Sequence, residues 1–121
     1  MVTPMSWTMA TIINEVYMQE MKRQPTHPGK IIKEDYLSPL SISIKDMASN
    51  LGVSRKTLSK IVNERGAITP DMALRLAKAF STTPELWMNL QRNYDLWHAS
   101  HDSKSWQRVR VVGIHASVAA Y

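Results

Sequence analysis

Residues 44–63 read IKDMASNLGVSRKTLSKIVN, and this stretch decides the fold. Ser43 lies directly before it and can cap a first helix from Ile44 to Leu51, with Asp46 three residues later completing a capping box. Gly52 follows the last apolar residue and supplies the left-handed conformation that a tight helix exit requires. Because Ser54 can cap a second helix, the stretch predicts two short helices joined by a tight turn.

The two predicted helices have the apolar frame of a helix-turn-helix, in which the second helix lies in the major groove of DNA. Ala48 is small where the helices would cross, Val53 fills the corner, and Leu58 and Ile61 point back to the first helix. The second helix then exposes cations, hydroxyls and an amide without a carboxylate: Ser54, Arg55, Lys56, Ser59, Lys60 and Asn63. Such side chains can pair with base edges or hold phosphates, so we expect this face to bind DNA.

The charge of the chain agrees with a polyanionic partner. Its 121 residues carry 15 Lys and Arg against 10 Asp and Glu, a formal charge of +5. Residues 44–65 hold two acidic residues and five basic ones: Lys45, Arg55, Lys56, Lys60 and Arg65. Lys45 and Arg65 therefore join the predicted DNA-binding set. A solvated basic face is the alternative, and the apolar frame beneath it favours DNA binding.

Threonine and proline divide the middle of the chain into further helices. Thr69-Pro70-Asp71 and Thr83-Pro84-Glu85 each place a hydroxyl at an N-cap, proline at the first helical position and an acid in the first turn. A shorter helix begins at Pro28 and should end before Ser38-Pro39, because the residue preceding proline is pushed out of the helical region. No segment between 28 and 99 alternates like a strand, so we predict an all-α, compact bundle of about five short helices.

The flanks of this bundle are expected to be flexible or irregular. Residues 8–22 have apolar residues at helical spacing and could form an additional amphipathic helix; alternatively, residues 1–20 are an upstream extension of a chain that starts at Met21. Residues 106–114 are rich in β-branched side chains and could form a strand paired across a dimer, or belong to a poorly ordered tail. The chain thus divides into an extension (1–26), a DNA-binding domain (27–99) and a tail (100–121).

Composition and motifs argue against an enzyme, a membrane protein and a secreted protein. The absence of Cys excludes thiol enzymes and Cys-containing zinc fingers, and it suits a reducing cytosol. There is neither a bilayer-spanning apolar run nor a signal-peptide pattern, so we expect a soluble, cytoplasmic protein. No phosphate loop or hydrolase motif is present, and His98, His101 and Asp102 make a weak metal site. We expect no cofactor, no metal and no membrane partner.

Four separated motifs resemble the HigA antitoxins, a branch of the Cro/lambda-repressor-like DNA-binding proteins also called virulence-associated protein I. They are HPGKII at 27–32, the helix-turn-helix, ITPDMALRL at 68–76 and TPELWMNLQ at 83–91. The resemblance implies a bacterial, homodimeric antitoxin of a type II toxin-antitoxin system. Such a protein neutralises a RelE-like mRNA endonuclease and represses its own operon at an inverted repeat. The family commonly dimerises through the segment after 87–90, which places Leu86, Leu90, Tyr94 and Trp97 at the expected interface, with plain core as the alternative.

One position departs from the wider repressor superfamily. Many of its members have Gln at the start of the first motif helix, where this chain has Ile44. One orienting DNA contact is therefore missing or moved to Ser43 or Lys45. The same fold also serves free-standing repressors and restriction-modification controllers without a toxin, so the sequence leaves both functions open.

Overall fold

Helices make up the regular structure of residues 23–112, the part of the chain that the computed structural model describes. Helix α1 starts as a short α-helix (Pro28–Ile31), continues as a π-helix (Ile32–Leu37) and closes as a short α-helix (Ser38–Leu40). It is followed by α2 (Ile44–Leu51), α3 (Arg55–Val62), α4 (Pro70–Phe80), α5 (Pro84–Asp102) and a 3-10 helix (Ser105–Arg108). Within residues 23–112, no helix has the length and apolar character of a bilayer span. The predicted five-helix, all-α fold is confirmed.

Hydroxyl caps begin four of these helices where the sequence predicts them. Thr69 Oγ1 and Thr83 Oγ1 each accept a hydrogen bond of 3.2 Å from the backbone N–H group three residues later. Ser43 Oγ and Ser54 Oγ do the same at 3.0 Å. Each cap satisfies an N–H group that the first helical turn leaves unpaired. The starts of α2 to α5 are therefore set by local sequence.

Helix α1 does not end before Ser38-Pro39 as predicted, but passes through both residues. In a regular α-helix the Pro39 ring would press on the carbonyl group four residues back. The preceding π-helical turn changes this pattern, because the Ser38 N–H group bonds the Lys33 carbonyl, five residues back. The wider winding accommodates the proline, and α1 ends at Leu40, followed by Ser41 as a left-handed cap with a φ of 52°.

The π-helical segment also brings its apolar residues to one face. Ile32 and Leu37 are both buried. At 3.6 residues per turn, residues five positions apart would lie about 140° apart around the helix. A winding with hydrogen bonds to the fifth residue back brings them closer to one line. The neighbouring Tyr36 ring stacks on Phe80 of α4, with 3.7 Å between ring centroids, so α1 docks through this face.

Trp87 is the largest fully buried side chain of the apolar core. Its ring lies 5.9 Å from Phe80 and 6.4 Å from Tyr36, measured between centroids. Its Nε1 donates a hydrogen bond of 2.8 Å to Thr82 Oγ1, which satisfies the one polar atom of the indole. The remaining buried core residues come from α1 to α4 and the loop before α4: Ile32, Leu37, Met47, Ala48, Leu51, Leu58, Ile61, Val62, Ile68, Met72, Ala73, Leu76 and Ala77.

A buried amide ties the loop between α3 and α4 to α5. Gln91 is 5% exposed. Its Oε1 accepts a hydrogen bond of 2.8 Å from the Ile68 N–H group, and its Nε2 donates one of 2.9 Å to Asp95 Oδ1. Because an unpaired buried N–H group is costly, Gln91 supplies an acceptor that this loop needs.

The described part of the tail contains a helical turn followed by irregular residues, and not the strand that is one of the two alternatives for this segment. Helix α5 runs to Asp102, past the expected domain boundary at residue 99. After the 3-10 helix at 105–108, residues 109–112 are exposed and irregular. A strand needs a neighbouring edge to pair with, and residues 23–112 offer none. Residues 113–114 of the predicted strand, and the predicted helix at 8–22, lie outside the described residues.

Candidate DNA-binding surface

Helices α2 and α3 are joined by the tight turn that the sequence predicts. Gly52 is left-handed, with φ 74° and ψ 31°. The Val53 N–H group bonds the Ala48 carbonyl at 3.0 Å, and the Gly52 N–H group bonds the Ser49 carbonyl at 3.2 Å. These bonds pair carbonyls that the end of α2 would leave free. Ser54 follows at once as the cap of α3, so the prediction of a helix-turn-helix at 44–63 is confirmed.

Helix α3 has one buried face and one exposed cationic face. Leu58, Ile61 and Val62 are at most 3% exposed and belong to the core. Seven of the eight predicted DNA-binding residues are exposed: Ser54, Arg55, Lys56, Lys60 and Asn63 around α3, Lys45 on α2 and Arg65 after α3. Ser59 is partly buried. The buried face therefore fixes which cations of α3 are presented outward.

The polar groups of this set differ in what they already bind. Ser54 Oγ accepts a hydrogen bond from the Thr57 N–H group and donates one of 2.8 Å to Thr57 Oγ1. Asn63 Nδ2 donates a hydrogen bond of 2.8 Å to the Ser59 carbonyl. The ion pairs within residues 23–112 lie on α4 and α5, so no carboxylate there neutralises a cation of α3. The cations are available for phosphates and base edges, whereas Ser54 and Asn63 also hold the two ends of the helix.

A second tight turn fixes the backbone of Arg65 behind α3. Glu64 has a φ of 61°. The N–H groups of Arg65 and Gly66 both bond the Lys60 carbonyl, at 2.8 and 3.0 Å. A left-handed glutamate is uncommon, and the sequence gives no signal for it. This turn keeps the exposed Arg65 next to the end of the cationic helix.

The first turn of α1 packs against the carboxyl end of α3, a contact that sequence reasoning missed. A Cβ atom added at Gly29 would overlap the carbonyl group of Ile61, so only glycine fits there. His27 caps α1, because its Nδ1 accepts a hydrogen bond of 2.9 Å from the Gly29 N–H group, and its ring meets Tyr94 edge-on at 4.7 Å. Burial lowers the pKa of His27, which favours the neutral ring that can accept this bond.

The four residues predicted at a dimer interface have different surroundings on α5. Leu86 is 42% exposed, whereas Leu90 packs partly buried against the core. Tyr94 lies against two histidine rings, at 4.7 and 4.4 Å between centroids, and belongs to the packing within the chain. Trp97 is partly buried, and its Nε1 is buried without a hydrogen-bond partner among residues 23–112. Leu86, Leu90 and Trp97 share one side of the helix by their spacing.

The histidines considered as metal ligands make contacts within the chain. His98 Nε2 lies 3.1 Å from Gln24 Nε2, and His98 Nδ1 lies 3.6 Å from Asp102 Oδ2. His101 Nδ1 lies 2.8 Å from the Trp97 carbonyl oxygen. In the part of the chain that the structure describes, no group of three His, Cys, Asp or Glu side chains could hold a metal ion.

Comparison with known proteins agrees with this geometry. The model of the family described as Helix-turn-helix matches residues 32–87. An HTH-type transcriptional regulator of Haemophilus influenzae is 50% identical over 84 residues, which cover 69% of this chain and 78% of that protein. Antitoxin HigA-1 of Vibrio cholerae is 40% identical over 80 residues, covering 66% of this chain and 75% of the relative. The solved structure of Pseudomonas aeruginosa antitoxin HigA with the higBA promoter has a TM-score of 0.65 at 36% identity, covering 73% of this chain and 98% of that one.

Proposed function

We propose that this chain, which belongs to the HigA antitoxin family of helix-turn-helix proteins, represses its own operon and neutralises a toxin encoded there. The exposed cationic face of α3, held outward by its buried Leu58 and Ile61, carries the DNA half of this proposal. A HigA structure with promoter DNA shares the fold and supports the same assignment. The proposed DNA partner is a duplex operator, bound through the major groove.

Each cation of α3 has a role that can be measured. Arg can fork onto guanine O6 and N7, and Lys can hold a base edge or a phosphate. We expect Arg55→Ala and Lys60→Ala each to weaken binding to the duplex directly upstream of the coding sequence, with no change in thermal stability. A lost base contact should weaken the free energy of DNA binding by about 1–3 kcal/mol and relax sequence specificity at one base pair. A lost phosphate contact should instead reduce the slope of log affinity against log salt concentration by about one. Fluorescence anisotropy over a salt series separates the two.

Lys78→Ala is the matched control, because Lys78 is an exposed cation on α4 and not on a helix of the helix-turn-helix. It should bind the upstream duplex with wild-type affinity. Unchanged affinity in the Arg55→Ala, Lys60→Ala double variant would place the DNA-binding surface elsewhere. An equal loss of affinity in Lys78→Ala would show that the weaker binding reflects the net charge of the protein and not the position of the α3 cations.

We also propose that the chain acts as a homodimer through α5. The side chain of Leu86, which is 42% exposed on α5, supports this surface. A two-fold dimer matches an inverted repeat whose half-sites are about 34–36 Å apart, one helical turn of DNA. The same anisotropy titration at high DNA concentration should give two chains per upstream duplex, and one chain per duplex would contradict the dimer.

The proposed toxin is a RelE-like mRNA endonuclease. Support comes from the family and from the name antitoxin that its members carry. A free-standing repressor without a toxin is the second candidate, because a regulator from Haemophilus influenzae is 50% identical to this chain. The two functions share the DNA-binding surface and differ in a protein partner.

Co-expression with the adjacent small gene distinguishes these candidates. If the neighbour arrests growth when expressed alone, this chain should restore growth and purify with the neighbour as a complex. The Arg55→Ala, Lys60→Ala double variant shows whether these cations are also needed for toxin binding: restored growth would separate toxin binding from operator binding. If growth arrest persists despite abundant wild-type chain, the antitoxin function fails and the free-standing repressor remains as the candidate function.

A further inference from the structure

Arg75 of α4 reaches out of its own helix to the turn between α2 and α3. Its Nη1 donates a hydrogen bond of 2.8 Å to the Leu51 carbonyl and lies 3.3 Å from the Gly52 carbonyl. Its Nε donates to Asp71 Oδ2 at 2.8 Å, one helical turn earlier on α4. One guanidinium thus connects α4 to the last residue of α2 and to the glycine of the turn.

These contacts meet a need of the helix end. The last carbonyls of an α-helix lack partners within the helix and carry its negative partial charge. The turn itself pairs the carbonyls of Ala48 and Ser49. Arg75 supplies a charged donor to the carbonyls of Leu51 and Gly52, where the chain leaves the helix, and hydrogen bonds of this kind are stronger than neutral ones. The turn is therefore held by hydrogen bonds of its own backbone and by the side chain of Arg75 from α4.

The guanidinium also restricts what can occupy the turn. A Cβ atom added at Gly52 would lie 2.9 Å from Arg75 Nη1, and Gly52 is already left-handed. Glycine is required here by its left-handed conformation, and an added Cβ would also have to displace the end of the Arg75 side chain. Arg55, the first residue of α3, lies three positions after Gly52, so any rotation of the turn moves the cations of α3.

We propose that Arg75 is a positioning residue for DNA recognition, which holds the turn so that the amino-terminal cations of α3 enter the groove in register. This inference depends on the proposed DNA-binding function. Its Nε and Nη1 bind protein oxygens, and we assign it no contact with DNA. Lysine could not replace it fully, because a point charge lacks the planar fork that binds the carbonyl and the carboxylate together.

The test compares Arg75→Met and Arg75→Lys with Lys78→Met, which removes an exposed charge from the same helix. Dissociation constants are measured on the upstream duplex and on a scrambled duplex of equal length, at a temperature where every variant is folded. Arg75→Met should weaken binding to the upstream duplex roughly 2- to 30-fold, the range for residues that tune a site without touching its ligand. Arg75→Lys should fall between wild type and Arg75→Met, and Lys78→Met should match wild type.

Two features of the data distinguish positioning from other roles. Positioning leaves the salt slope and the affinity for the scrambled duplex unchanged; a slope reduced by about one would show a phosphate contact and overturn the proposal. Full rescue by Arg75→Lys, or no loss in Arg75→Met, would also overturn it.

Amide hydrogen exchange tests the turn without DNA. The Val53 N–H group should exchange faster in Arg75→Met than in wild type, since its bond to Ala48 closes the turn. Unchanged exchange at Val53 would overturn the positioning role. If wild type fails to bind the upstream duplex, the proposed DNA-binding function fails, and the exchange data still decide whether Arg75 holds the turn.

Discussion

Trp87→Ala is expected to lower the free energy of unfolding by about 3–5 kcal/mol, the range for removing a buried aromatic side chain. The indole is fully buried and packs near the rings of Tyr36 and Phe80. Alanine would leave a cavity between α1, α4 and α5 and would free the Thr82 hydroxyl from its indole donor. Because a small domain is stable by only about 5–15 kcal/mol, this loss should be evident in urea denaturation monitored by circular dichroism.

Trp106 provides the matched control. It is 49% exposed, outside the core, and its Nε1 donates a hydrogen bond of 3.4 Å to the Ser100 carbonyl. Trp106→Ala should change the free energy of unfolding by less than about 1 kcal/mol. Similar losses in the two variants would contradict the assignment of Trp87 to the core between these helices.

Gly29→Ala should destabilise the chain by about 1–3 kcal/mol or more, the cost of forcing extra volume into a packed site. Alanine would favour the helical conformation of α1 by up to about 1 kcal/mol, so propensity and sterics act in opposite directions. Sterics should dominate, because the added Cβ meets the Ile61 carbonyl, a backbone group that cannot move without displacing the end of α3. Urea denaturation measures the balance.

Gly66→Ala is the comparison for this variant. An added Cβ there would lie 3.2 Å from the Lys60 Cβ, a tight contact without the overlap with a backbone carbonyl that arises at Gly29. We expect a smaller loss of stability than in Gly29→Ala. If the order of the two variants were reversed, the close approach of α1 to α3 would not be a determinant of stability.

The predictable parts of this molecule are those governed by near neighbours in sequence. Ser43, Thr69 and Thr83 act as caps through the N–H group three residues later, and Gly52 ends α2 in the left-handed conformation. Each of these features depends on the chemistry of one short segment. The alternation of apolar and cationic residues on α3 likewise predicts its buried and exposed faces.

The unpredicted parts depend on partners far away in sequence. Arg75 bonds the Leu51 carbonyl, 24 positions earlier, and Gln91 bonds the Ile68 N–H group, 23 positions earlier. Neither pairing leaves a local pattern, because arginine and glutamine on a helix are ordinarily solvated. The proline rule failed at Ser38-Pro39 for a related reason: tertiary packing of Ile32 and Leu37 on the core stabilises a winding that local preference disfavours.

The π-helical segment of α1 makes chain length, and not only residue identity, a determinant of the fold. A π-helical turn holds more residues than the α-helical turn it replaces, so the six π-helical residues turn the chain by about as much as one residue fewer would in α winding. Removing one residue between 32 and 37 should therefore leave the two ends of α1 in nearly the same relative orientation, with Gly29 still facing Ile61. The deletion would instead place Pro39 in a regular α-helix, where its ring presses on the carbonyl group four residues back, and should cost stability through this proline.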